Sequence, residues 1–335
     1  MSVKKEEFDR LDFYWSNHRD RLRWNCIFTF PAFIRPWSLA FNSGSLPSIY
    51  SVWQGDELIG IAPIIIKNEK ATFIGDPEVF DFMDFIISPG KCQEFAIALL
   101  EYLKTEGVQY LELNSVRADS LVLTEVMPAA EVLSYSTAAE NAEVSYEIEL
   151  PCQWESYLEM LTIKKHREFR RQFRRLREVG NITHRIVSDA SQMQHWSHNF
   201  LNLHIASRQD KAEFMTEQMA SYFRSLMKEM AAIGKIKLCF LESDQTPVAS
   251  TLNFEHSATV YLYNTGYDPH YRALSVGFIS QMMIIQNSIE NKMIKYSFLK
   301  GEETYKQRMG GKKVQLYNCI IYSSHIPHFK MPNVA

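Results

Sequence analysis

The residues whose types and spacing could best support a chemical reaction lie in one loop of the 335-residue chain. They have the spacing Arg-x-x-Ser-x-Gly and precede an apolar segment, 278–291, that predicts a helix. A loop that leads into a helix presents free backbone N–H groups and the positive end of the helix dipole. This arrangement suits the pyrophosphate of a large anionic cofactor and favours group transfer over passive binding. The candidate cofactor-binding residues here are Arg272, Ser275, Val276 and Gly277.

The segments on both sides of this loop predict strands that would position it. Thr259–Tyr263 is β-branched and aromatic, and Met293–Leu299 is a second candidate strand after the helix. The second strand runs into a polar stretch, 301–310, which is rich in groups that transfer protons or bind anions. The spacing alone is a weak motif, but its place between a predicted strand and a predicted helix strengthens it.

A strongly basic helix is predicted from Lys164 to Arg177. Glu168 is the one acidic residue in this segment, against eight lysines and arginines. Phe169, Phe173, Leu176 and Val179 recur at helical spacing on one apolar face. Like charges three and four residues apart repel each other, so either acidic partners in the fold or an anionic ligand should compensate. The sequence leaves both open: a phosphate-rich ligand that includes transfer RNA, or a solvated helix face.

Across 146–309 the chain resembles the CelD-like and FemAB-like branch of the GNAT acyltransferase superfamily. The resemblance rests on the basic helix, on Tyr261–Gly277, and on Phe298–Met309, where the family pattern is of the type DFxRGxExYKxxW. Ser275 stands in place of the first glycine of the family's acetyl-coenzyme A loop, and Ser297, Lys300 and Met309 replace the usual Asp, Arg and Trp. The resemblance implies an α+β (α/β) fold of two tandem GNAT-like lobes. Each lobe would be a mixed, largely antiparallel sheet flanked by helices, with the site in a cleft between the lobes.

The resemblance also implies an N-acyltransferase that moves an acyl group from acyl-coenzyme A to a small-molecule amine. Such a reaction needs a donor for the tetrahedral oxyanion, a base for the amine and an acid for the leaving group. By resemblance, Lys306 faces the acyl carbonyl and Tyr305 protonates the leaving group, and Glu302 is a candidate base through water. Arg308 joins Arg272 as a candidate ligand for phosphate oxygens.

Composition narrows the class of protein. Hydrophobic residues make up 46% and charged residues 22%, which are ordinary globular values. A net charge of -3 gives no overall attraction to nucleic acid, so any such attraction must be local. The five cysteines are far apart and form no metal-binding or disulfide pattern. We expect no metal site, no membrane insertion and a cytoplasmic location, since the N-terminus shows no signal peptide and no apolar run could span a bilayer.

Two lobes of similar size follow from a small, polar stretch at 134–144, which places the division at 1–145 and 146–335. The first lobe has candidate strands at Ile49–Trp53, 58–66 and 71–74, a helix at 93–106 closed by Gly107, and a strand at 110–113. The second has strands at 236–241, 247–254 and 259–263 before its helix and final strand. Both lobes therefore place an antiparallel meander before a helix and another strand.

Two further functions stay open at this point. The arginine helix favours a Fem-type transferase whose donor is aminoacyl-transfer RNA. The serine at 275 and the missing Asp at 297 favour a non-catalytic accessory protein of polysaccharide or envelope synthesis. We interpret His195, His198 and His204 as polar surface or satisfied interior residues rather than metal ligands, because four ligands with defined spacing are not present. The aromatic-rich N-terminal segment, 13–37, is expected to pack the first lobe.

Overall fold

The chain divides into two compact units in the structure, a computed structural model that describes residues 1–42 and 46–323. The first unit comprises Met1–Glu143 and the segment from Gln315 on, and the second comprises Val144–Val314. The first boundary lies close to the division expected from the sequence. The final segment, which we assigned to the second lobe, groups instead with the first unit, because its strand pairs with a strand of that unit.

The first unit places helices around two groups of strands. Its helices are α1 (Asp9–His18), α2 (Pro31–Phe41), α3 (Cys92–Thr105) and α4 (Met127–Val132), with a 3-10 turn at Ile27–Thr29 and a π-helical turn at Val122–Val126. Its strands are β1 (Ser2–Glu6), β2 (Ile49–Gln54), β3 (Glu57–Ala62), β4 (Ile64–Lys67), β5 (Lys70–Phe73), β6 (Ile86–Ile87) and β7 (Tyr110–Arg117). The order β1–β2–β3–β6 forms one antiparallel sheet. In the other group, β4 pairs with β5 antiparallel, and β5 pairs with β7 in parallel across α3.

Aromatic side chains from the N-terminal segment form much of the first unit's interior, as predicted. Phe28 and Phe33 are fully buried and meet edge to face at 4.8 Å, and Trp24 and Trp37 are also buried. Phe13 is the exception, since 43% of it remains exposed.

The described residues of the second unit include six paired strands and the basic helix. Its strands are β8 (Tyr135–Glu149, which begins in the first unit), β9 (Ile182–Val187), β10 (Ile236–Ser243), β11 (Thr246–His256), β12 (Thr259–Tyr267) and β13 (Lys295–Lys300). Its helices are α5 (Trp154–Met160), α6 (Ile163–Arg177), α7 (Ala190–Ser207), α8 (Gln209–Phe214), α9 (Glu217–Ala232), α10 (Val276–Glu290) and α11 (Thr304–Arg308), with a 3-10 helix at Pro269–Leu274. The last strand, β14 (Lys312–Ser323), begins here and pairs antiparallel with β7 from Leu316 on.

The strand order of the second unit is β9–β10–β11–β12–β13–β8. All neighbours are antiparallel except β12 and β13, which are parallel and are joined by α10. The predicted meander, helix and final strand are therefore confirmed in this unit. The chain as a whole is a mixed α/β protein with largely antiparallel pairing.

Three predicted elements differ from the structure. Pro63 divides the segment 58–66 into β3 and β4, because proline cannot donate its backbone N–H to a ladder. The polar stretch 134–144, which the sequence predicts to divide the lobes, lies almost entirely within the strand β8. The basic helix has the predicted extent, since α6 ends at Arg177, but Val179 lies beyond it and is 54% exposed, so Val179 does not continue the apolar face.

Other features of the described residues bear on the class of protein. None of the described helices is long and apolar enough to cross a membrane. Within residues 1–42 and 46–323, no group of three or more His, Cys, Asp and Glu side chains is arranged to hold a metal ion. Four of the cysteines are buried and Cys152 is exposed, and all five are free thiols.

Candidate active site

The parallel strands β12 and β13 separate after a short paired stretch. Pairing runs from Thr259 with Lys295 to Tyr261 with Ser297, and the described residues form no further pair between these strands. The C-terminal end of β12, residues 262–267, thus has β11 on one side and no β13 partner on the other. An unpaired strand edge offers backbone groups to an extended ligand.

The candidate cofactor loop follows the free end of β12. Asp268 caps a 3-10 helix through its carboxylate, which accepts the backbone N–H of His270 at 2.9 Å. Ser275 then adopts a left-handed conformation, with φ 55° and ψ 36°. Glycine adopts this conformation without strain, whereas a residue with a Cβ does so at a cost. The serine therefore occupies the turn that the family's glycine is expected to make.

The first turn of α10 leaves backbone N–H groups without acceptors. In the described part of the chain, the N–H groups of Val276, Gly277 and Phe278 have no hydrogen-bond partner, as expected for a helix start without a side-chain cap. Arg272 is exposed beside them and has no side-chain partner among the described residues. A Cβ on Gly277 would meet only Tyr267 within 4 Å, at 3.6 Å. The structure thus brings together all four predicted loop residues.

The basic helix α6 packs directly against this loop. Leu176 belongs to one apolar cluster with Val276 and Ile279, and Phe173 packs on the same cluster with residues of the 3-10 helix. Phe169 meets Phe278, in the first turn of α10, edge to face at 6.3 Å. The loop and the basic helix therefore form one surface.

Within residues 1–42 and 46–323, most of the charges on α6 have no neutralising partner. The exceptions are weak: Arg174 lies 4.0 Å from Glu178, Lys165 donates to the carbonyl of Gln307 at 3.4 Å, and Arg177 stacks over Phe173. Five exposed side chains have no acidic partner among the described residues: Lys164, Arg167, Arg170, Arg171 and Arg175. An anionic ligand would remove the resulting repulsion.

The loop after β13 holds the other predicted residues. A β-bulge opposite β8 places the buried Leu299 at φ 57°, and the hydroxyl of Ser297 accepts its N–H at 3.3 Å. The position where the family has Asp thus supports the bulge in this chain. Gly301 follows at φ 111°, and a Cβ added at this position would lie 2.3 Å from Glu303 Oε2.

The ammonium group of Lys306 is enclosed by this loop. The side chain is 2% exposed, and Nζ donates hydrogen bonds to the carbonyls of Leu299 at 3.3 Å, of Gly301 at 3.2 Å and of Lys300. Glu303 Oε2 lies 3.0 Å from the same nitrogen. For Lys306 to face an acyl carbonyl, that carbonyl must replace one of these oxygens.

Tyr305 has a hydroxyl that is available to a ligand. The ring packs edge to face on Phe298 at 6.2 Å, and the hydroxyl has no partner among the described residues. Burial raises the pKa of this hydroxyl above its ordinary value, and the charge of Glu303 raises it further. Tyr305 therefore remains protonated and can act as an acid rather than a base.

The other two predicted residues lie at the surface. Glu302 is exposed, and its carboxylate lies 3.5 Å from Lys313 Nζ. Arg308 is exposed and, within the described chain, has no side-chain partner. Neither residue is held in place by other groups in the way that Lys306 is.

One polar cluster escaped the sequence analysis. His204 is 1% exposed, and its Nδ1 lies 2.9 Å from the carbonyl oxygen of Thr265, which also accepts from Lys211 Nζ at 2.5 Å. Arg208 is paired with Asp210 and lies close enough to Glu303 for their charges to interact. The signal in the sequence was three basic groups and an acid within 204–211, directly after an apolar helix.

Comparison with known proteins finds a family match within this unit. The family model described as an acetyltransferase (GNAT) domain matches residues 164–307, which run from the start of α6 to α11. The match therefore includes the basic helix, the cofactor loop and most of the residues proposed for the site. Among curated protein sequences, none matches the chain significantly.

Solved structures share the fold along nearly the whole chain. FemX aligns with a TM-score of 0.62 at 11% identity, over 96% of this chain and 97% of its own. A conserved protein of unknown function from Bacteroides thetaiotaomicron aligns with a TM-score of 0.56 at 13% identity, over 96% and 99%. L-PGS from Bacillus licheniformis aligns with a TM-score of 0.54 at 9% identity, over 83% and 85%. Residues 164–307 therefore match an acetyltransferase (GNAT) domain, and the chain shares the fold of FemX.

Proposed function

We propose that this acyltransferase is an N-acyltransferase that takes its acyl group from acyl-coenzyme A and gives it to a small-molecule amine. The observation that carries the proposal is the gap between β12 and β13, which leads to the free N–H groups of Val276, Gly277 and Phe278. An extended pantetheine arm can pair with the free edge of β12, and the pyrophosphate can lie at the helix start. Arg272 is placed to bind the same phosphates.

The reacting carbonyl would then lie near the loop after β13. In this proposal Tyr305 gives its proton to the departing thiolate, for which its raised pKa keeps it ready. Lys306 stabilises the oxyanion once the acyl oxygen has replaced a backbone carbonyl at its ammonium group. The sequence offers Glu302 as one candidate base for the amine, acting through water, and Arg308 as a further ligand for the phosphates.

The alternative donor is aminoacyl-transfer RNA, and one specific observation favours it. The five unpartnered basic side chains of α6 extend over roughly 15 Å, since a helix rises about 1.5 Å per residue. Such a surface is suited to several phosphates of a polynucleotide. In that case affinity would fall steeply with salt, because each neutralised phosphate releases condensed counterions.

Ligand-induced stabilisation tests the donor class. Acetyl-coenzyme A and longer acyl-coenzyme A thioesters should raise the free energy of unfolding by about 2.7 kcal/mol at 100-fold excess over Kd. An acyl-pantetheine thioester, which lacks the nucleotide phosphates, should bind much more weakly. Arg272→Ala should reproduce that loss, whereas Arg224→Ala, which removes an arginine already paired with Glu217 on α9, should not. No stabilisation by any thioester, together with a salt-sensitive gel shift by transfer RNA, would favour the alternative.

Turnover tests the role of Lys306. Lys306→Ala should reduce acyl transfer by about 10²-fold or more, as the loss of an oxyanion donor does. Because Lys306 also holds three backbone carbonyls, thioester binding and thermal unfolding of the variant must be measured beside turnover. Near-normal turnover in the folded variant would remove Lys306 from the mechanism.

A further inference from the structure

The carbonyl oxygen of Thr265 gathers two nitrogen donors from different helices. His204 Nδ1 on α7 lies 2.9 Å from it, and Lys211 Nζ on α8 donates to it at 2.5 Å and to the Thr265 hydroxyl at 3.2 Å. Thr265 lies on the end of β12, beyond the last residue that pairs with β13. The Lys211 amine is therefore fixed at the strand end that leads to the candidate donor loop.

The surroundings of Lys211 disfavour the positively charged form of its amine. Burial and, to a lesser extent, the positive charge of Arg208 lower the pKa of Lys211 to about 8. Both of its described hydrogen bonds go to Thr265, and these use two N–H groups. When the amine is neutral, its remaining tetrahedral position is a lone pair that can accept a proton.

The charged and titratable groups around Lys211 allow its neutral amine to form at a pH only slightly above neutral. His204 adds no charge, because burial lowers its pKa to about 4, and its Nε2 is buried without a partner in the described chain. On α8, Asp210 opposes the effect of Arg208, and from the other side Glu303 also raises the pKa of Lys211. Tyr267 and Tyr305 both lie close enough to Arg208 to interact with its charge. Burial raises the pKa of the Tyr305 hydroxyl, so Tyr305 adds no negative charge near neutral pH.

The other candidate bases are less suited to the task. Glu302 is exposed and faces Lys313. Glu303 is engaged by Lys306 at 3.0 Å, and Tyr305 is protonated. His204 Nε2 is also an unused proton-accepting site, but with a pKa of about 4 it binds a proton poorly near neutral pH. Lys211 combines a fixed position and an unused proton-accepting site with a pKa of about 8.

We propose that Lys211 is the base that deprotonates the acceptor amine, which binds between the end of β12 and α11. This inference rests on the N-acyltransferase function proposed above. The Lys211 lone pair takes one proton from the acceptor's ammonium group, and the resulting amine attacks the thioester carbonyl. The C–N bond forms and the C–S bond breaks. Tyr305 protonates the leaving thiolate, and the nitrogen then loses its second proton, which restores the Tyr305 hydroxyl. The products are an amide, a thiol and a protonated Lys211.

The basicity of Lys211 can be measured without any turnover. Trace labelling of the whole protein with acetic anhydride over a range of pH, read by peptide mass spectrometry, follows the unprotonated fraction of each lysine. Labelling of Lys211 should rise with a midpoint near pH 8. Lys228, an exposed lysine on α9, serves as the internal reference. A Lys211 midpoint equal to that of Lys228 would overturn the proposal, whether or not a substrate is known.

The second experiment separates proton removal from a structural role. With acetyl-coenzyme A as donor, alkylamine acceptors enter as ammonium ions, whereas hydroxylamine is uncharged near neutral pH. Lys211→Arg and Lys211→Met should lower kcat/KM for alkylamines by about 10²-fold or more but change it only a few-fold for hydroxylamine. With alkylamines, kcat/KM of the wild type should rise with pH around pH 8, and this rise should be absent from both variants.

The possible outcomes are distinct. Equal losses with both acceptors would assign Lys211 a structural role and overturn the proposal, and so would wild-type rates in Lys211→Arg. Lys228→Met is the matched control and should behave as the wild type. If no acyl-coenzyme A supports turnover, the proposed function fails, and the labelling midpoint still decides whether Lys211 is a neutral amine near pH 8.

Discussion

Gly301 is the residue on which the arrangement around Lys306 most depends. Its φ of 111° is strained for a side chain, and a Cβ would lie 2.3 Å from Glu303 Oε2 and 3.0 Å from Lys306 Nζ. Gly301→Ala should therefore lower the free energy of unfolding by about 1–3 kcal/mol and displace the ion pair. Urea unfolding measures the loss, and acyl transfer should fall together with it.

Gly234 provides the matched control for this substitution. It also has a positive φ, 64°, but a Cβ there would meet nothing within 4 Å. Gly234→Ala should show the backbone cost alone, about 1–2 kcal/mol, with unchanged turnover. If both variants lost the same stability and kept the same turnover, the contact with Glu303 and Lys306 would be without consequence.

Gly277 should respond in the opposite way. It does not have a positive φ, and its Cβ would meet Tyr267 only at an ordinary 3.6 Å, so Gly277→Ala should leave stability unchanged or raise it by up to about 1 kcal/mol. If the donor's phosphates approach this backbone, the added methyl group should raise the Kd for acyl-coenzyme A about tenfold. Isothermal titration of the variant measures the Kd, and unchanged binding would place the phosphates elsewhere.

At this scale, the sequence predicted the loop better than the lysine. The spacing of Arg272, Ser275 and Gly277 was enough to predict a turn before a helix, because turn chemistry is local. The surroundings of Lys306 depend on a β-bulge and on three backbone carbonyls. No side-chain pattern reports such backbone geometry, so the enclosure of Lys306 was not predictable.

The helix α6 carries repulsion that one substitution should relieve. Arg171 has like-charged neighbours four residues away on both sides, Arg167 and Arg175, and within the described chain none of the three has an acidic partner. Arg171→Gln should therefore raise the free energy of unfolding by about 0.2–0.5 kcal/mol per removed pair at low salt. The gain should disappear at high salt, because salt screens exposed charges.

Urea unfolding at two salt concentrations measures this gain, with Arg224→Gln as the control. Arg224 lies 2.9 Å from Glu217 on α9, so its neutralisation should bring no gain at either salt concentration. A polyanion bound by α6 should also lose about one unit of salt slope in Arg171→Gln. A loss of stability at low salt in this variant would show that α6 is compensated by the protein itself.

Helices and hairpins with a strong periodicity of apolar side chains could be predicted from the sequence. Strands that are defined by their pairing with other strands could not. The apolar face of α6 and the hairpin of β10 and β11 follow from side-chain spacing. The first half of β8 is polar and half-buried or exposed, so its composition indicated only a division between lobes, although its backbone is a strand. Pro63 was a readable break between β3 and β4 that the apolar run concealed.

Both units use one connection, in which two parallel strands are joined through a helix. In the first unit α3 lies between β5 and β7, and in the second α10 lies between β12 and β13. The repeated meander in the sequence predicted this duplication. The return of β14 to β7 was not predictable, because a parallel or antiparallel neighbour far along the chain leaves no local pattern.

The two units should respond to acid in opposite directions. In the first, burial raises the pKa of Asp84 to about 7 although its carboxylate accepts the N–H groups of Phe85, Leu121 and Val122. Between about pH 4 and 7 the folded unit then binds more protons than the unfolded chain, so its stability should fall as pH rises. In the second, burial lowers the pKa of His204 to about 4, so the unfolded chain binds more protons between about pH 4 and 6.5. Stability should rise with pH in that range.

Hydrogen exchange resolved by peptide can follow the two units separately. Moving from pH 7 to pH 5, after correction for intrinsic rates, protection should increase around Asp84 and decrease around His204. Between pH 7 and pH 5 each group should change the free energy of unfolding by roughly 2 kcal/mol, in opposite directions. Asp84→Asn and His204→Asn should each abolish the response in their own unit and leave the other unchanged. A response of the same sign in both units, or one that survives its own substitution, would show that other groups set the pH dependence.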